Sequence, residues 1–245
     1  MNNPDASSSV SRLAVIPAKG RSRRLPGKNT RLFYGKPIIA YTIQAALESG
    51  LFDTVMVSTD DEATAEIARD LGASVPFLRS SATASDDTML YEVVEEVLLS
   101  YQQQLDRSFQ TVCCLLPTAV FITPDKLIQS EKLLTALPDT EGVMTIVRYA
   151  DPIQRALEQM QDGRVQMVWP ENMHQMSNDL PPRYHDGGQF WWITVEALFT
   201  QHCLYPAKVM GFEIPESQAV DLDTAEDWAM AEVKYQYYLN QMNYA

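Results

Sequence analysis

The side chains best suited to bind an anion lie together near the start of the chain. The stretch AKGRSRRLPGKN, residues 18–29, contains five Lys or Arg side chains and no acid, although the 245-residue chain has a formal net charge of −13. Gly20 and Gly27 allow close approach of backbone N–H groups, which can hold phosphate oxygens. Such a local concentration of positive charge predicts an anionic ligand. A solvated surface loop is the alternative interpretation.

A second group of residues, near the C-terminus, suits a divalent cation. In the extended segment VDLD, residues 220–223, Asp221 and Asp223 lie on the same face. Carboxylate oxygens are the ligands that Mg²⁺ prefers, together with water and substrate phosphate. We therefore expect Asp221 and Asp223 to bind Mg²⁺. The alternative is that Asp223 caps the final helix while Asp227 closes a capping box.

The elements that must position these residues alternate between strand and helix. Repeated strand–helix–strand order predicts an α/β fold, a Rossmann-like and mostly parallel sheet flanked by helices. Ligands bind outside the carboxyl ends of such strands, where the basic loop is predicted to lie. The predicted strands are residues 13–17, 54–59, 73–78, 111–117, 142–147, 188–194, 208–214 and 219–223, and the predicted helices are residues 37–50, 61–72, 87–105, 123–137 and 224–239.

The domain organisation predicted is simple. Residues 1–11 form a polar, disordered tail and residues 12–245 a single domain, in which residues 148–183 are an insertion that covers the site or contacts a second subunit. No apolar run approaches the roughly 20 residues that span a bilayer, and the three cysteines give no disulfide framework. We therefore predict a cytoplasmic protein that binds neither membrane nor nucleic acid, since the latter needs a basic face.

Two common nucleotide motifs are absent from the basic loop. The Walker loop requires a glycine five residues before Gly27 and a Ser or Thr after Lys28, and the chain has neither. The dinucleotide fingerprint GxGxxG is also missing, which argues against a Rossmann dehydrogenase. A different class of phosphate-binding loop is therefore expected.

The segment VIPAKGRSRRLPGKN, residues 15–29, resembles the signature A-R-G-G-S-K-R-[IL]-P-x-K-N of the cytidylyltransferases that activate nine-carbon acidic sugars. This family includes the synthetases of CMP-sialic acid and CMP-pseudaminic acid, and its fold is of the nucleotide-diphospho-sugar transferase type. Lys19 stands where the family has Arg, and Arg21 where it has Gly. In the family this loop holds the CTP triphosphate. The resemblance implies nucleotide binding by Lys19, Gly20, Ser22, Arg23, Lys28 and Asn29, and catalytic roles for Lys28, Lys19 and Asp223.

Two further segments resemble nucleotide-binding elements of that family. Arg79 in FLRSS is similar to an Arg that lies beside the nucleotide, and Ser85 and Asp87 match an acidic turn near the cytosine. A surface salt bridge is the alternative for Arg79, and a helix cap for Asp86 or Asp87. Asp60 and Asp61, in STDD, are interpreted as a helix cap.

The segments PIQRAL and YHDGGQFWW, residues 152–157 and 184–192, resemble sugar-binding elements of the pseudaminic acid cytidylyltransferases. Arg155 is expected to pair with the sugar carboxylate. Leu116 stands where sialic acid synthetases have a Gln, and loss of that amide argues against ordinary sialic acid as substrate. For one of the two adjacent tryptophans, and for the His, a purely structural role is the alternative. The sugar-binding residues implied are Thr118, Arg155, Tyr184, His185, Gln189 and Trp191.

The resemblance implies transfer of CMP from CTP to a nonulosonic acid, with pseudaminic acid as first choice and pyrophosphate as the second product. Lys28 and Lys19 would neutralise the phosphates, and Mg²⁺ would be the cofactor. A homodimer is expected, and the product would feed glycan building such as flagellin glycosylation. The alternatives are a sialic, legionaminic or ketodeoxyoctonic acid cytidylyltransferase of the same fold, and a nucleotide-binding module without turnover.

Overall fold

The structure is a computed structural model that describes residues 10–21 and 25–244. Most of the predicted tail, up to residue 9, lies outside the described residues. The strands are β1 (Arg12–Pro17), β2 (Leu32–Phe33), β3 (Lys36–Pro37), β4 (Thr54–Ser58), β5 (Thr111–Leu115), β6 (Gly142–Arg148), β7 (Leu157–Gln159), β8 (Val165–Met167), β9 (Tyr184–Thr194) and β10 (Val209–Glu213). The helices are α1 (Ile39–Glu48), α2 (Glu62–Asp70), α3 (Leu90–Leu105), α4 (Pro124–Leu134), α5 (Val195–Gln201) and α6 (Ala225–Tyr244).

A six-stranded sheet in the order β10-β6-β9-β5-β1-β4 forms the centre of the described chain. β1 pairs in parallel with β4 and β5, and β10 with β6, whereas β9 runs antiparallel to both of its neighbours. The predicted mostly parallel sheet is thus confirmed. Because β9 is reversed, its first residues lie at the edge where the parallel strands end.

Apolar side chains cover both faces of the sheet. Successive strand residues point to opposite faces, so Cys113 and Trp192 join the cluster on one face, while Cys114 and Trp191 join the other. The indole N–H of Trp192 donates to Ser130 Oγ at 3.0 Å, which satisfies a buried polar atom. Trp192 is therefore a packing residue, as the alternative interpretation allowed for one of the pair.

A third cluster ties the last helix to the beginning of the chain. Phe33 is fully buried and makes edge-to-face contacts with Trp228 and Tyr235 of α6. Leu25, near the basic loop, and Leu222, between the two acidic residues, belong to the same cluster. This packing brings the two predicted ligand-binding segments together in space.

Two sequence predictions of local structure are wrong, and one helix has no counterpart among the predictions. Residues 73–78 form no strand beyond one isolated bridge from Ser74 to Met56, since Pro76 removes a donor that a ladder needs. Residues 219–223 are not a strand, because they pack Leu222 into the third cluster instead of pairing at a sheet edge. Helix α5 was not predicted; it follows β9 directly and is capped by Thr194.

The region predicted as an insertion contains the hairpin β7–β8 and single turns of 3₁₀ helix at Ile153–Arg155, Pro170–Asn172 and Ser177–Asp179. Its apolar side chains are largely exposed. No helix of the described residues has the length and apolarity to cross a bilayer.

Candidate active site

The basic loop begins where β1 ends. The Gly20 N–H donates to Asp60 Oδ1 at 2.8 Å, and a Cβ atom on Gly20 would lie 2.4 Å from Cβ of Asp61. Any larger residue would therefore force the loop away from the end of β4. Asp61 accepts from Thr64 N at 2.8 Å and so caps α2, as predicted. The predicted nucleotide-binding residues Ser22 and Arg23 lie outside the described residues.

Lys28 connects the basic loop to the acidic segment. Its Nζ donates to the Leu222 carbonyl oxygen at 2.7 Å and lies 3.3 Å from Asp223 Oδ1. Only about a fifth of each charged side chain is exposed, 22% for Lys28 and 21% for Asp223, so solvent screens this attraction incompletely. The neighbouring Asn29 is buried, and its Nδ2 donates to the Lys19 carbonyl oxygen at 3.1 Å. Two segments remote in sequence thus form one site.

Asp221 and Asp223, the predicted metal ligands, flank a buried residue. Leu222 is fully buried, whereas Asp221 is exposed and Asp223 is half-buried. Asp223 does not cap α6, because Thr224 takes that place: its Oγ1 accepts from Asp227 N at 3.2 Å, and Asp227 Oδ2 accepts in return from Thr224 N at 2.7 Å. The interpretation of Asp223 as a helix cap is wrong, and that of Asp227 as the closing member of a capping box is right.

These residues suit Mg²⁺ better than a metal held by protein alone. Among the described residues there is no group of three or more His, Cys, Asp or Glu side chains that could hold a metal ion. Mg²⁺ is usually bound by one or two carboxylates and completes its octahedron with water and substrate phosphate. Asp221 and Asp223, near the basic loop, fit that requirement.

Lys19 pairs with an acid that sequence reasoning assigned no binding role. Its Nζ forms a salt bridge with Asp86, and both side chains are about one-third exposed. Helix α3 begins after Met89, whose N–H donates to Glu92, so neither Asp86 nor Asp87 caps this helix. The predicted residues Ser85 and Asp87 lie beside Asp86, where Ser85 Oγ accepts from Asp87 N at 3.3 Å.

Arg79 is buried at the end of β4. Only 9% of the residue is exposed, and its guanidinium donates to Ser58 Oγ at 3.0 Å and to the Ser58 carbonyl oxygen at 2.6 Å. Burial lowers the pKa of Arg79, while Asp60 and Glu96 act in the opposite direction. The surface salt bridge considered from sequence is therefore wrong. In this structure Arg79 supports the strand end that carries Asp60.

A cavity of about 780 Å³ opens beside the acidic segment. Its size lies within the range of small-molecule sites. His185 and Trp191 of the predicted sugar-binding set line it, and so do Leu116 and Asp221. The site therefore has a charged part, around Lys28, and a more apolar part, within the cavity.

The other predicted sugar-binding residues differ in position. Gln189 is buried; its Nε2 donates to the Gln218 carbonyl oxygen at 2.5 Å, and its Oε1 meets no donor among the described residues. Thr118 is also buried. Arg155 is exposed and donates to Ser177 Oγ at 3.1 Å. Neither Arg155 nor Tyr184 lines the cavity in the described part of the chain.

Sequence reasoning missed one wall of the cavity. The loop after α5 contributes His202, Cys203, Leu204 and Tyr205. The only local signal was the presence of a His, a Cys and a Tyr in the five residues HCLYP. Nothing in that pattern points to a neighbour on β9.

The family model described as Cytidylyltransferase matches residues 13–184. The match includes the basic loop, Arg79 and the segment after β5.

The chain belongs to the cytidylyltransferase family.

Relatives with curated names extend this result over nearly the whole cytidylyltransferase. The pseudaminic acid cytidylyltransferase of Campylobacter jejuni serotype O:2 is 34% identical over 224 residues, which cover 91% of this chain and 95% of the relative. The CMP-N,N'-diacetyllegionaminic acid synthase of Legionella pneumophila is 33% identical over 90% of this chain and 94% of its own length. The enzyme class predicted from sequence, a nucleotidyltransferase, is thereby confirmed.

Two solved structures confirm the fold. A CMP:2-keto-3-deoxy-manno-octonic acid synthetase complexed with CTP superposes with a TM-score of 0.67 at 16% identity, covering 94% of this chain and 99% of the other. The 4-diphosphocytidyl-2C-methyl-D-erythritol synthase of Anaerococcus prevotii gives a TM-score of 0.60 at 13% identity, covering 93% and 99%. The cytidylyltransferase thus has a nucleotidyltransferase fold.

Proposed function

We propose that this cytidylyltransferase transfers the CMP group of CTP to pseudaminic acid and releases pyrophosphate. The observation that carries the proposal is the contact of Lys28 with Asp223 beside a cavity of ligand size. It joins a cation for phosphate to carboxylates for a metal. The Campylobacter relative, which bears the name of this activity, supports the choice of sugar.

The chain's own cations bind the triphosphate. Lys28 and Lys19 stand on the loop after β1, and each is held in place by an acid, Asp223 and Asp86 respectively. These acids orient the two ammonium groups before the nucleotide arrives. Phosphate oxygens of the bound nucleotide then compete with the acids for the ammonium groups. Such pre-organised charge stabilises the negative charge that develops on the departing pyrophosphate.

Asp221 and Asp223 would hold Mg²⁺. When bound there, the ion neutralises phosphate oxygens and lowers the pKa of the attacking hydroxyl group. Lys28 of the basic loop contacts Asp223 and keeps that carboxylate directed towards the loop.

The cavity positions the sugar. The anomeric hydroxyl oxygen of the sugar would form a bond to the α-phosphorus as the bond from that phosphorus to pyrophosphate breaks, and the hydroxyl proton would pass to solvent. Much of the rate of such a transfer comes from alignment of the reactants and from charge neutralisation. His185 and Trp191 line the cavity, whereas Leu116 offers no hydrogen bond where an amide would favour sialic acid.

The N,N'-diacetyl form of legionaminic acid is a second candidate substrate. The Legionella relative is 33% identical to this chain, close to the 34% of the Campylobacter relative. Both candidates are nonulosonic acids and need the same nucleotide site.

Release of pyrophosphate tests the proposed function. The enzyme would be assayed with CTP, Mg²⁺ and, in turn, pseudaminic, N,N'-diacetyllegionaminic, sialic and ketodeoxyoctonic acids, with UTP in place of CTP as the nucleotide control. We expect the highest kcat/KM with pseudaminic acid. Equal kcat/KM with sialic acid would contradict the substrate, and no pyrophosphate with any sugar would contradict the proposed function.

We also infer a homodimer in which residues 148–183 contact the second subunit. The support is that large apolar side chains of this region are exposed. Contact of such apolar surface with water is unfavourable, and patches of this kind often mark interaction sites. A cytoplasmic location and a role in flagellin glycosylation or surface polysaccharide synthesis stay predictions.

A further inference from the structure

Tyr205 lies on the wall of the cavity that sequence reasoning missed. It follows α5, and its side chain is partly exposed towards the cavity. Its hydroxyl group donates a hydrogen bond to Asp186 Oδ2. The other oxygen of that carboxylate, Oδ1, accepts from the Gly188 N–H at 2.8 Å. Both carboxylate oxygens of Asp186 are thus engaged by groups of the protein.

This arrangement settles the direction of the Tyr205 hydroxyl proton. An ionised carboxylate only accepts hydrogen bonds, so the single phenolic proton must point to Asp186. Burial raises the pKa of Tyr205 to about 12, with Asp186 acting in the same direction and Trp191 in the opposite one. The phenol therefore keeps its proton at neutral pH. Its oxygen can still accept a hydrogen bond, and a ligand N–H competes for it with the buried indole N–H of Trp191, which has no other partner among the described residues.

The surfaces around this oxygen are mostly apolar, although His185, His202 and Asp221 also line the cavity. Leu204 and Trp191 are 5% and 4% exposed and line the cavity together with Leu116 and Val220. A ligand group that matches this part must donate one hydrogen bond and bury a small apolar body. An acylamino substituent does both, because its N–H donates and its methyl group is apolar. A hydroxyl group in place of the acyl methyl group would lack a partner where it meets Leu116, Leu204 and Val220, which is costly.

We propose that Tyr205, oriented by Asp186, accepts a hydrogen bond from the amide N–H of an N-acyl substituent of the sugar and so determines specificity for acylamino sugars. The inference rests on the proposed function, since it assigns the cavity to the sugar. It names a contact that neither the basic loop nor the acidic pair supplies.

The test is steady-state pyrophosphate release by wild type and Tyr205→Phe, which removes only the hydroxyl oxygen. With an N,N'-diacetylated nonulosonic acid we expect the KM for the sugar to rise roughly ten-fold, as for one lost hydrogen bond to a polarised acceptor. The KM for CTP should not change. With an analogue that carries N-methylacetamido groups, which have no N–H, the two proteins should have equal KM values.

Two further variants complete the design. In Asp186→Asn the new amide group can donate to the Tyr205 oxygen, so the Tyr205 hydroxyl proton is no longer directed away from the ligand. This single substitution should therefore weaken sugar binding, whereas the same substitution added to Tyr205→Phe should change little. Tyr237→Phe, on the exposed surface of α6, is the matched control and should behave as wild type. If Tyr205→Phe does not fold, as judged by circular dichroism, Asp186→Asn with the two substrates carries the test alone.

The outcomes separate the two proposals. A wild-type enzyme that turns over no sugar in the panel contradicts the proposed function, whatever Tyr205 does. A wild-type enzyme that turns over the diacetylated sugar, with the same KM in Tyr205→Phe, overturns the role of Tyr205 alone. A KM that rises equally for the sugar and its N-methylated analogue, or for CTP, also overturns it, because the effect would then not depend on the amide N–H.

Discussion

At the scale of single residues, Asp223 connects the acidic segment to the basic loop. In this structure it faces Lys28 at 3.3 Å, and with Asp221 it would hold Mg²⁺ once the nucleotide is bound. Thr224 caps α6 and leaves the Asp223 carboxylate directed at the site. We therefore expect Asp223 to contribute mainly to catalysis and less to the stability of the fold.

Asp223→Asn should lower activity while the protein stays folded. The amide keeps the shape but loses the negative charge that a hard cation needs, so we expect kcat/KM for CTP to fall roughly a hundred-fold and the half-saturating Mg²⁺ concentration to rise about ten-fold. Pyrophosphate release at a series of Mg²⁺ concentrations measures both.

Asp139→Asn is the control for this change. Asp139 is an exposed acid that pairs with Lys208, and its replacement should alter neither quantity. Full activity of Asp223→Asn with an unchanged Mg²⁺ dependence would show that the acidic pair does not bind the metal.

Helix α4 contributes a partly buried cation at the scale of secondary-structure elements. Lys126 lies in its first turn, and Nζ donates to the Phe121 carbonyl oxygen at 2.7 Å and to Gln218 Oε1 at 2.5 Å. The Gln218 carbonyl oxygen accepts in turn from Gln189. Lys126 thus connects α4 to the segment that precedes the acidic pair. Burial lowers the pKa of Lys126 to about 8.

This pKa predicts a pH-dependent stability. Between pH 8 and 10.5 the folded state loses the Lys126 proton while the unfolded state keeps it, so the free energy of unfolding should rise with pH in that window. The rise is at most about 3 kcal/mol. Urea unfolding of wild type and Lys126→Met at pH 7.5, 8.5 and 9.5 isolates it, because other titrations are common to both proteins. The difference between them should increase with pH in favour of wild type.

Lys132→Met is the matched control on the same helix. Lys132 is exposed, so its replacement should leave the pH dependence of wild type unchanged. If wild type and Lys126→Met differ by the same amount at all three pH values, Lys126 has an ordinary pKa, and burial does not affect its charge.

The region of residues 148–183 matters at the scale of the whole molecule. Its exposed apolar side chains include Leu157 and Val165, each 60% exposed, and Met176, 70% exposed. Interfaces between subunits are enriched in such residues at their centre. Burial of this region against a second copy would remove apolar surface from water on both chains.

The triple variant Leu157→Ser, Val165→Ser, Met176→Ser should therefore weaken a dimer. Wild type is expected to have twice the mass of one chain in analytical ultracentrifugation at micromolar concentration, and the variant the mass of one chain. Met230→Ser with Val233→Ser changes exposed apolar residues of α6 and should leave the mass unchanged. A monomeric wild type would refute the dimer.

The sequence by itself determined the local structure and the family. Apolar runs identified β1, β4, β5 and β6. Capping residues identified helix starts, such as Thr123, whose Oγ1 accepts from Lys126 N at 3.3 Å. These features depend on residues a few positions apart, which a sequence shows directly. The basic loop likewise carries its own signature. The exceptions were residues 73–78, where Pro76 should have counted against a strand, residues 219–223, which are not a strand, and helix α5, which the sequence did not predict.

Only the tertiary structure decided which of these segments meet. Lys28 reaches Asp223 because α6 packs through Trp228 onto Phe33, and Tyr205 reaches Asp186 because β9 is reversed within the sheet. Such contacts depend on how whole helices and strands pack. The positions of residues along the chain do not show which side chains, far apart in sequence, will meet. Sequence therefore indicated the candidate phosphate-binding and metal-binding residues separately, while the packing of the elements joined them and added the wall of the cavity.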